Sequence, residues 1–222
     1  MTAADVLKSA SFPGAPVGRA GRLPAGIRLT WLHLRTRRVP AGIVALAVCG
    51  AMLRAALHWN WTSGDNPQQF PMIVEAGAAA VIAVTSHGPF GEVERATGRW
   101  LPAMRLLAAA GMCGLAILAL QLGVAGESLN EGILVLARNI IGFAGLGLAS
   151  SLVTGGLLAW VLPLGYMAFC QYALTEAWSA PWIWPARPPA DRGGWIAAVT
   201  VLAVALLAYT LCGPRTRPSD NP

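Results

Sequence analysis

The sequence predicts an all-α, polytopic membrane protein with about six transmembrane helices, and three observations favour that fold class. Of the 222 residues, 55% are hydrophobic and only 12% are charged, whereas about a quarter of the residues in a soluble domain are charged. The apolar residues come in blocks of roughly twenty, the length of helix that crosses a ~30 Å hydrocarbon core. The basic residues gather in segments that would all lie on one side of the membrane.

The N-terminal region predicts a cytoplasmic tail followed by a helix that lies on the membrane surface. Residues 1–22 are polar and have no periodicity, so we expect a flexible tail. Within residues 23–38 the apolar side chains recur at helical spacing, at Leu23, Ile27, Trp31 and Leu34. Arginines on the other sides of this helix would face anionic lipid, which favours an interfacial amphipathic helix. The alternative interpretation is a solvated basic leader.

The transmembrane domain is expected to hold six spans. From the apolar runs, these are residues 40–59, 70–86, 102–122, 131–150, 155–174 and 195–212, within a domain of residues 39–213. The apolar stretch from Glu131 to Tyr172 is too long for one helix across the hydrocarbon core. The sequence SSLVTGG near its middle is the natural break between two spans. Residues 214–222 form a second short polar tail.

The placement of the basic residues predicts the orientation of these spans. Twelve lysines and arginines fall in the two terminal segments and in the link between spans two and three, against two in the opposite loops. The positive-inside rule therefore puts both termini and that link in the cytoplasm. The formal charge of +6 thus reflects membrane orientation, and no nucleic-acid partner is expected. Arginine outnumbers lysine fifteen to one, which is compatible with a bacterial protein of the inner (plasma) membrane.

The link between spans two and three contains a compact charged segment, GPFGEVERATGRW, at residues 88–100. From Gly91 onwards the residues suit a short helix, because Glu92 and Glu94 lie near its positive dipole end and Arg99 near its negative end. Apolar residues between the charges make the helix amphipathic, as in an element that docks another protein. The alternative is a solvated charged loop that simply obeys the positive-inside rule.

This segment resembles the coupling helix of ABC-2 type ATP-binding cassette exporters, which often reads E-x-E-x-G-T. The matching residues are Glu92, Glu94, Arg95, Thr97, Gly98 and, beyond them, Arg99. The order here is ATG rather than GT, and LPAMR follows where a leucine-rich run is usual. The resemblance extends to the N-terminal amphipathic helix, the six spans and re-entrant external helices between spans five and six, where TEAWSAPWIWPARPPADRGG stands.

The resemblance implies that the chain is the non-catalytic membrane subunit of a transporter, most simply an exporter. A separate ABC ATPase would bind its cytoplasmic face and hold the ATP and magnesium, since this chain has no phosphate-binding G-x-x-x-x-G-K-[ST] motif. A second membrane subunit, identical or different, would complete the pathway for an amphipathic or hydrophobic substrate. The alternatives are a membrane scaffold or immunity protein without transport activity and, third, a small intramembrane enzyme.

Nothing in the sequence predicts a catalytic, cofactor or metal site in this chain. The cysteines all fall inside apolar runs without a CxxC pair, at Cys49, Cys113, Cys170 and Cys212. The three histidines stand near different span ends, at His33, His58 and His87. We therefore interpret the cysteines as small buried hydrophobic residues.

Four polar residues lie inside predicted spans, where each charge costs roughly 2.5–3.5 kcal/mol. They are Arg54, Glu75, Arg138 and Asn139. Counted at about 1.5 Å per residue, the three ionisable groups share a level near the outer leaflet. We predict that Glu75 pairs with one of the two arginines. Such a cluster would fix helix packing, or form an outer gate or substrate-contacting site, or consist of arginines that reach the interface unpaired.

The outer segment before the last span is rich in tryptophan and proline. Its tryptophans are Trp178, Trp182 and Trp184. The prolines exclude a long regular helix here, so short half-inserted helices are expected. The tryptophans would then form either an aromatic belt at headgroup depth or a lid over a substrate site.

Overall fold

The computed structural model describes most of the predicted transmembrane domain. The described residues are 38–59, 69–86, 101–126, 132–176, 178 and 180–212. Both predicted tails, the predicted coupling helix and all of the predicted interfacial helix except Arg38 lie outside them. Every structural statement below refers to the described residues.

The described chain is α-helical and contains no strand. Its six helices are α1 Val39–His58, α2 Gln69–Thr85, α3 Leu101–Val124, α4 Gly132–Thr154, α5 Val161–Thr175 and α6 Arg192–Cys212. Two 3₁₀ turns accompany them, Gly156–Leu158 before α5 and Trp184–Ala186 before α6. Each predicted span overlaps one of these helices, so the all-helical prediction is confirmed.

Five stretches are long and apolar enough to cross a membrane, as expected of a multi-pass membrane protein. They are Val39–His58, Pro102–Val124, Gly132–Thr154, Gly156–Thr175 and Arg192–Cys212. The sixth helix, α2, has 17 residues and is therefore only about 25 Å long. The five longer stretches have 20 to 23 residues, with the 3₁₀ turn Gly156–Leu158 counted together with α5, and α2 also carries the buried Glu75.

Contacts between distant residues show that the helices alternate in direction. Arg54 near the end of α1 reaches the carbonyl of Ala125 after α3. Gln171 near the end of α5 reaches the carbonyl of Gln69 at the start of α2. We call this side of the bundle the Trp184 end, formed by His58, Gln69, Val124, Gly132, Thr175 and Arg192. The opposite side, where Tyr209 of α6 bonds Ser86 after α2, is the Tyr209 end.

Helix α4 lies at the centre of the bundle and packs against α2, α3, α5 and α6. In its most apolar window 61% of the residues are buried inside the protein, against 17% for α6. Glycines bring its neighbours close: a Cβ at Gly145 would lie 2.7 Å from the backbone nitrogen of Leu202 in α6, and one at Gly147 would lie 2.8 Å from Ala83 in α2. Small residues of α4 therefore serve packing within the chain.

The break between α4 and α5 falls where SSLVTGG predicts it. Gly155 has φ 80° and ψ 178°, a conformation that is essentially restricted to glycine. The hydroxyl of Ser150 donates to the carbonyl of Leu158 at 3.0 Å across this turn. One long apolar run is thereby divided into two antiparallel helices.

Candidate functional site

The candidate site lies at the Trp184 end, where α2, α4 and α5 meet the segment that leads into α6. Glu75 of α2 and Asn139 of α4 are 2% and 1% exposed. The Asn139 amide nitrogen Nδ2 donates to Glu75 Oε2 at 2.8 Å. A carboxylate thus lies inside the bundle and receives a hydrogen bond from a helix far away in sequence, which burial of such a group requires.

The sequence predicts that Glu75 pairs with Arg54 or Arg138, and this pairing stays a prediction; the hydrogen bond from Asn139 shows that α4, the helix of Arg138, lies beside Glu75. Successive residues of an α-helix point about 100° apart because one turn holds 3.6 residues. Asn139 therefore faces α2, while Arg138 beside it reaches a different neighbour. The sequence thus named α4 as one of two helices that could lie beside Glu75.

Arg138 is fully buried and holds the segment of residues 180–191, called here the 180–191 segment. Its Nη1 donates to the carbonyl oxygen of Pro188 at 2.7 Å, and its Nη2 donates to that of Arg187 at 2.8 Å. Hydrogen bonds from a charged donor are about twice as strong as neutral ones. The guanidinium consequently ties a non-helical stretch to the central helix.

Arg54 belongs to a separate contact at the same end. It is exposed, and its Nη1 donates to the carbonyl oxygen of Ala125 at 3.0 Å. Cations are favourable beside the last carbonyls of a helix, which carry the negative end of its dipole. Arg54 thus joins α1 to the end of α3.

Asp191 links the 180–191 segment to α6. Its carboxylate accepts a hydrogen bond from the backbone nitrogen of Gly194 at 2.7 Å and forms an ion pair with Arg187 at 2.9 Å. The hydrogen bond from Arg187 lowers the pKa of Asp191, with help from the Gly194 nitrogen and the charge of Arg138, and the same bond raises the pKa of Arg187. This carboxylate is an N-terminal cap of α6.

The three tryptophans of the outer segment occupy different environments. Trp178 and Trp182 are 48% and 65% exposed, as the belt interpretation expects, whereas Trp184 is 2% exposed. The Trp184 ring stacks on Tyr166 of α5 at a centroid distance of 4.5 Å. It covers Gly142 of α4 so closely that a Cβ at that glycine would overlap the indole. Trp184 is therefore a buried anchor of the 180–191 segment.

Two further hydrogen bonds complete the attachment of this segment. The hydroxyl of Tyr166 donates to the carbonyl of Trp182, and the indole nitrogen of Trp195 donates to the carbonyl of Pro189 at 3.0 Å. Side chains of α4, α5 and α6 thus satisfy backbone carbonyls along the segment. A non-helical backbone that lies against a bundle needs such partners.

Several polar atoms of the site keep hydrogen-bonding capacity. Within the described residues, Asn139 Oδ1, Gln171 Oε1 and Trp184 Nε1 are buried and have no hydrogen-bond partner. The amide nitrogen of Gln171 contacts the carbonyl of Gln69 at 3.4 Å. Asn139 and Gln171 thus keep acceptor oxygens on α4 and α5, and Trp184 keeps a donor on the 180–191 segment.

Sequence reasoning did not identify Tyr166, Gln171 and Asp191 as parts of this site. Gln171 carries a readable signal, since it is a lone amide in the apolar run MAFCQYAL. The described residues hold no group of three His, Cys, Asp or Glu side chains suited to a metal. All four cysteines are free thiols.

The predicted coupling residues lie outside the described part of the chain. They are Glu92, Glu94, Arg95, Thr97, Gly98 and Arg99. No protein-family model, curated protein or solved structure matches the chain.

Proposed function

We propose that the chain is the membrane-spanning subunit of an ABC-type transporter, in which a separate ATPase drives movement of an amphipathic or hydrophobic substrate. The observation that carries this proposal is the folded-back 180–191 segment between the last two helices, anchored by Arg138 and Trp184. The resemblance to ABC-2 exporters implies re-entrant external helices at this place, where the described residues form one 3₁₀ turn, Trp184–Ala186. An unanchored loop would have weakened the proposal.

The polar site beneath this segment gives the proposed subunit a place to contact substrate. Asn139 and Gln171 present buried acceptor oxygens, and the surrounding surfaces of α2 and α5 are apolar. A substrate with a hydroxyl or amine group on an apolar body matches that combination. The 180–191 segment covers the site, so substrate exchange would require its displacement.

ATP hydrolysis would act from the opposite side of the membrane in this proposal. The charged link of residues 88–100 would receive the ATPase, which would hold ATP and Mg²⁺. Closure of the ATPase would push on this link and move α2 and α3, the helices that flank it. A second membrane subunit, identical or different, would face the first across the pathway.

One observation favours the rival proposal of a membrane scaffold without transport activity. Arg138 donates two hydrogen bonds to the carbonyls of Arg187 and Pro188, and the Asn139 amide donates one to Glu75. These contacts stabilise a single arrangement of the helices. A scaffold or immunity protein needs such rigidity and no ATPase.

Affinity purification from membranes in mild detergent distinguishes the two proposals. We expect an ABC ATPase to co-purify with the full-length chain and to be lost when Glu92 and Glu94 are both replaced by alanine. The matched control replaces Glu127, in the predicted outer loop before span four, and Glu131, the first residue of that span, and should retain the ATPase. Quantitative mass spectrometry of the bound proteins is the measurement.

The outcomes of the co-purification experiment test the transporter proposal and its coupling helix separately. Loss from the Glu92/Glu94 variant with retention in the control supports the transporter proposal and its coupling element. Co-purification of no ATPase with the wild type overturns the transporter proposal in favour of the scaffold. Equal retention in both variants would place the ATPase contact elsewhere and contradict the coupling helix.

A further inference from the structure

A surface groove runs between α1 and α2 at the Tyr209 end and has a volume of about 350 Å³. Its walls are small and aliphatic, formed by Ala41, Ala45, Ala80, Val81 and Val84. Gly42 and Thr85 meet at its floor, where a Cβ on the glycine would overlap the threonine side chain. The alanines leave open a space that larger side chains would fill.

One cation stands at the mouth of this groove. Arg38 lines the groove, is exposed, and occupies the N-cap position of α1. The first turn of α1 contains no acidic residue, and the cap position makes no side-chain hydrogen bond. A positive side chain at the positive end of a helix dipole is unfavourable by itself. The charge of Arg38 and the helix dipole both favour an anion at this point.

Two other grooves between helices provide an internal comparison. The groove between α1 and α3, about 130 Å³, is lined by Leu46, Ala47, Leu115 and other apolar residues. The groove between α4 and α6, about 390 Å³, is lined by apolar residues and Thr200. Neither of these two grooves has a charged residue in its lining. The α1–α2 groove therefore combines an apolar channel with a cation, which the other two do not.

We propose that the α1–α2 groove binds an anionic glycerophospholipid, with an acyl chain between Ala45 and Ala80 and the phosphate beside Arg38. From Arg38 to Ala45 the groove extends about 10 Å along α1, the direction in which an acyl chain leaves the headgroup layer. The predicted orientation places Arg38 at the cytoplasmic leaflet, where anionic lipids give the membrane a negative surface potential. This inference depends on the chain's place in a membrane and is independent of the transporter proposal.

Native mass spectrometry of the purified full-length protein tests the lipid site. The probes are phosphatidylglycerol and phosphatidylcholine with the same acyl chains, added at equal concentrations to delipidated protein. We expect the wild type to retain phosphatidylglycerol preferentially. Arg38→Gln should lower phosphatidylglycerol binding about fivefold, the effect of about one basic residue at a membrane surface, while Arg38→Lys should retain most of it.

Matched variants separate the groove from general surface charge. Arg192→Gln removes an exposed arginine at the opposite end and should leave the preference unchanged. Ala41→Phe should fill the α1–α2 groove and lower binding, whereas Ala47→Phe, at another exposed position of α1 that lines the α1–α3 groove, should not. Circular dichroism and elution volume establish that each variant is folded.

Three results would overturn the lipid proposal. They are equal retention of the two lipids by the wild type, equal losses for Arg38→Gln and Arg192→Gln, and unchanged binding in a folded Ala41→Phe variant. Should Ala41→Phe not fold, the Arg38 and Arg192 pair decides, because both side chains are exposed. The presence or absence of an ATPase in the same preparation does not affect any of these outcomes.

Discussion

The two ends of the bundle are held together by different chemistry. At the Trp184 end, contacts involve the guanidinium of Arg138, the carboxylates of Glu75 and Asp191, and a buried indole. At the Tyr209 end, the hydroxyl of Tyr209 donates to the carbonyl of Ser86, and the buried charged residue Arg105 lies within a helix. The difference reflects the chain between helices: the Trp184 end must fix a non-helical segment full of backbone carbonyls, and charged donors do so more strongly than hydroxyls.

The Arg138→Met variant is expected to have the largest effect on the Trp184 end. Removal of two charge-assisted hydrogen bonds from a buried position should lower the free energy of unfolding by about 3 kcal/mol. It should also release the 180–191 segment. Thermal unfolding in detergent and protease cleavage within the segment measure the two effects. Arg192→Met, an exposed control, should change stability by less than about 0.5 kcal/mol; equal effects would contradict the role of Arg138.

The Gly142→Ala variant tests how closely side chains pack at the Trp184 end. The new Cβ would overlap the Trp184 indole, and overpacking of this kind costs about 2 kcal/mol. At Gly114 of α3 nothing lies within 4 Å of an added Cβ, so Gly114→Ala should be neutral or stabilising by up to about 1 kcal/mol. Thermal unfolding and near-ultraviolet circular dichroism distinguish the pair. If both variants are equally stable, Trp184 is not seated on Gly142.

The Tyr209→Phe variant tests the hydrogen bond between Tyr209 and Ser86 at the Tyr209 end. It removes one neutral hydrogen bond and keeps the ring, so the expected loss is about 1 kcal/mol. Protease sensitivity of the 180–191 segment should remain that of the wild type, because Tyr209 bonds Ser86 at the opposite end of the bundle. Tyr172→Phe, at an exposed tyrosine, serves as the control. Increased cleavage of the segment in Tyr209→Phe would mean that the two ends are coupled.

The smallest expected effect is a pH dependence at the Trp184 end. The pKa of Asp191 is lowered from its ordinary 3.8, first by the hydrogen bond from Arg187. Its contribution to stability is therefore present above about pH 3.8 and is lost as the pH falls through the lower folded value. The midpoint of thermal unfolding should decline in this acidic range more steeply for the wild type than for Asp191→Asn. Parallel profiles for the two proteins would show that Asp191 does not cause the acid dependence of stability.

The spans could be predicted from sequence because hydrophobic length is a local property. The break near Gly155 was also readable, since a glycine pair interrupts an apolar run there, and Gly155 adopts a glycine-specific conformation. Depth alone named two helices that could lie beside Glu75, and α4 is one of them. These features depend on counting along the chain, which one sequence permits.

Partner choice at the site could not be predicted, because it depends on helix rotation. Arg138 and Asn139 are adjacent in sequence and share a depth, yet they contact different elements. The burial of Trp184 likewise depends on the absence of a side chain at Gly142, far away in the chain. Neither of these contacts leaves a local pattern in the sequence, whereas Gln171 stands out as a lone amide in an apolar run.

The position of α4 has a consequence for any route through the membrane. Helix α4 packs against α2, α3, α5 and α6, and 61% of its most apolar window is buried, so it occupies the space between these four helices. The glycines that could have served a contact with another subunit instead seat α2 and α6. Cargo carried by such a protein would travel along its outer flank, and a second subunit would supply the opposing wall.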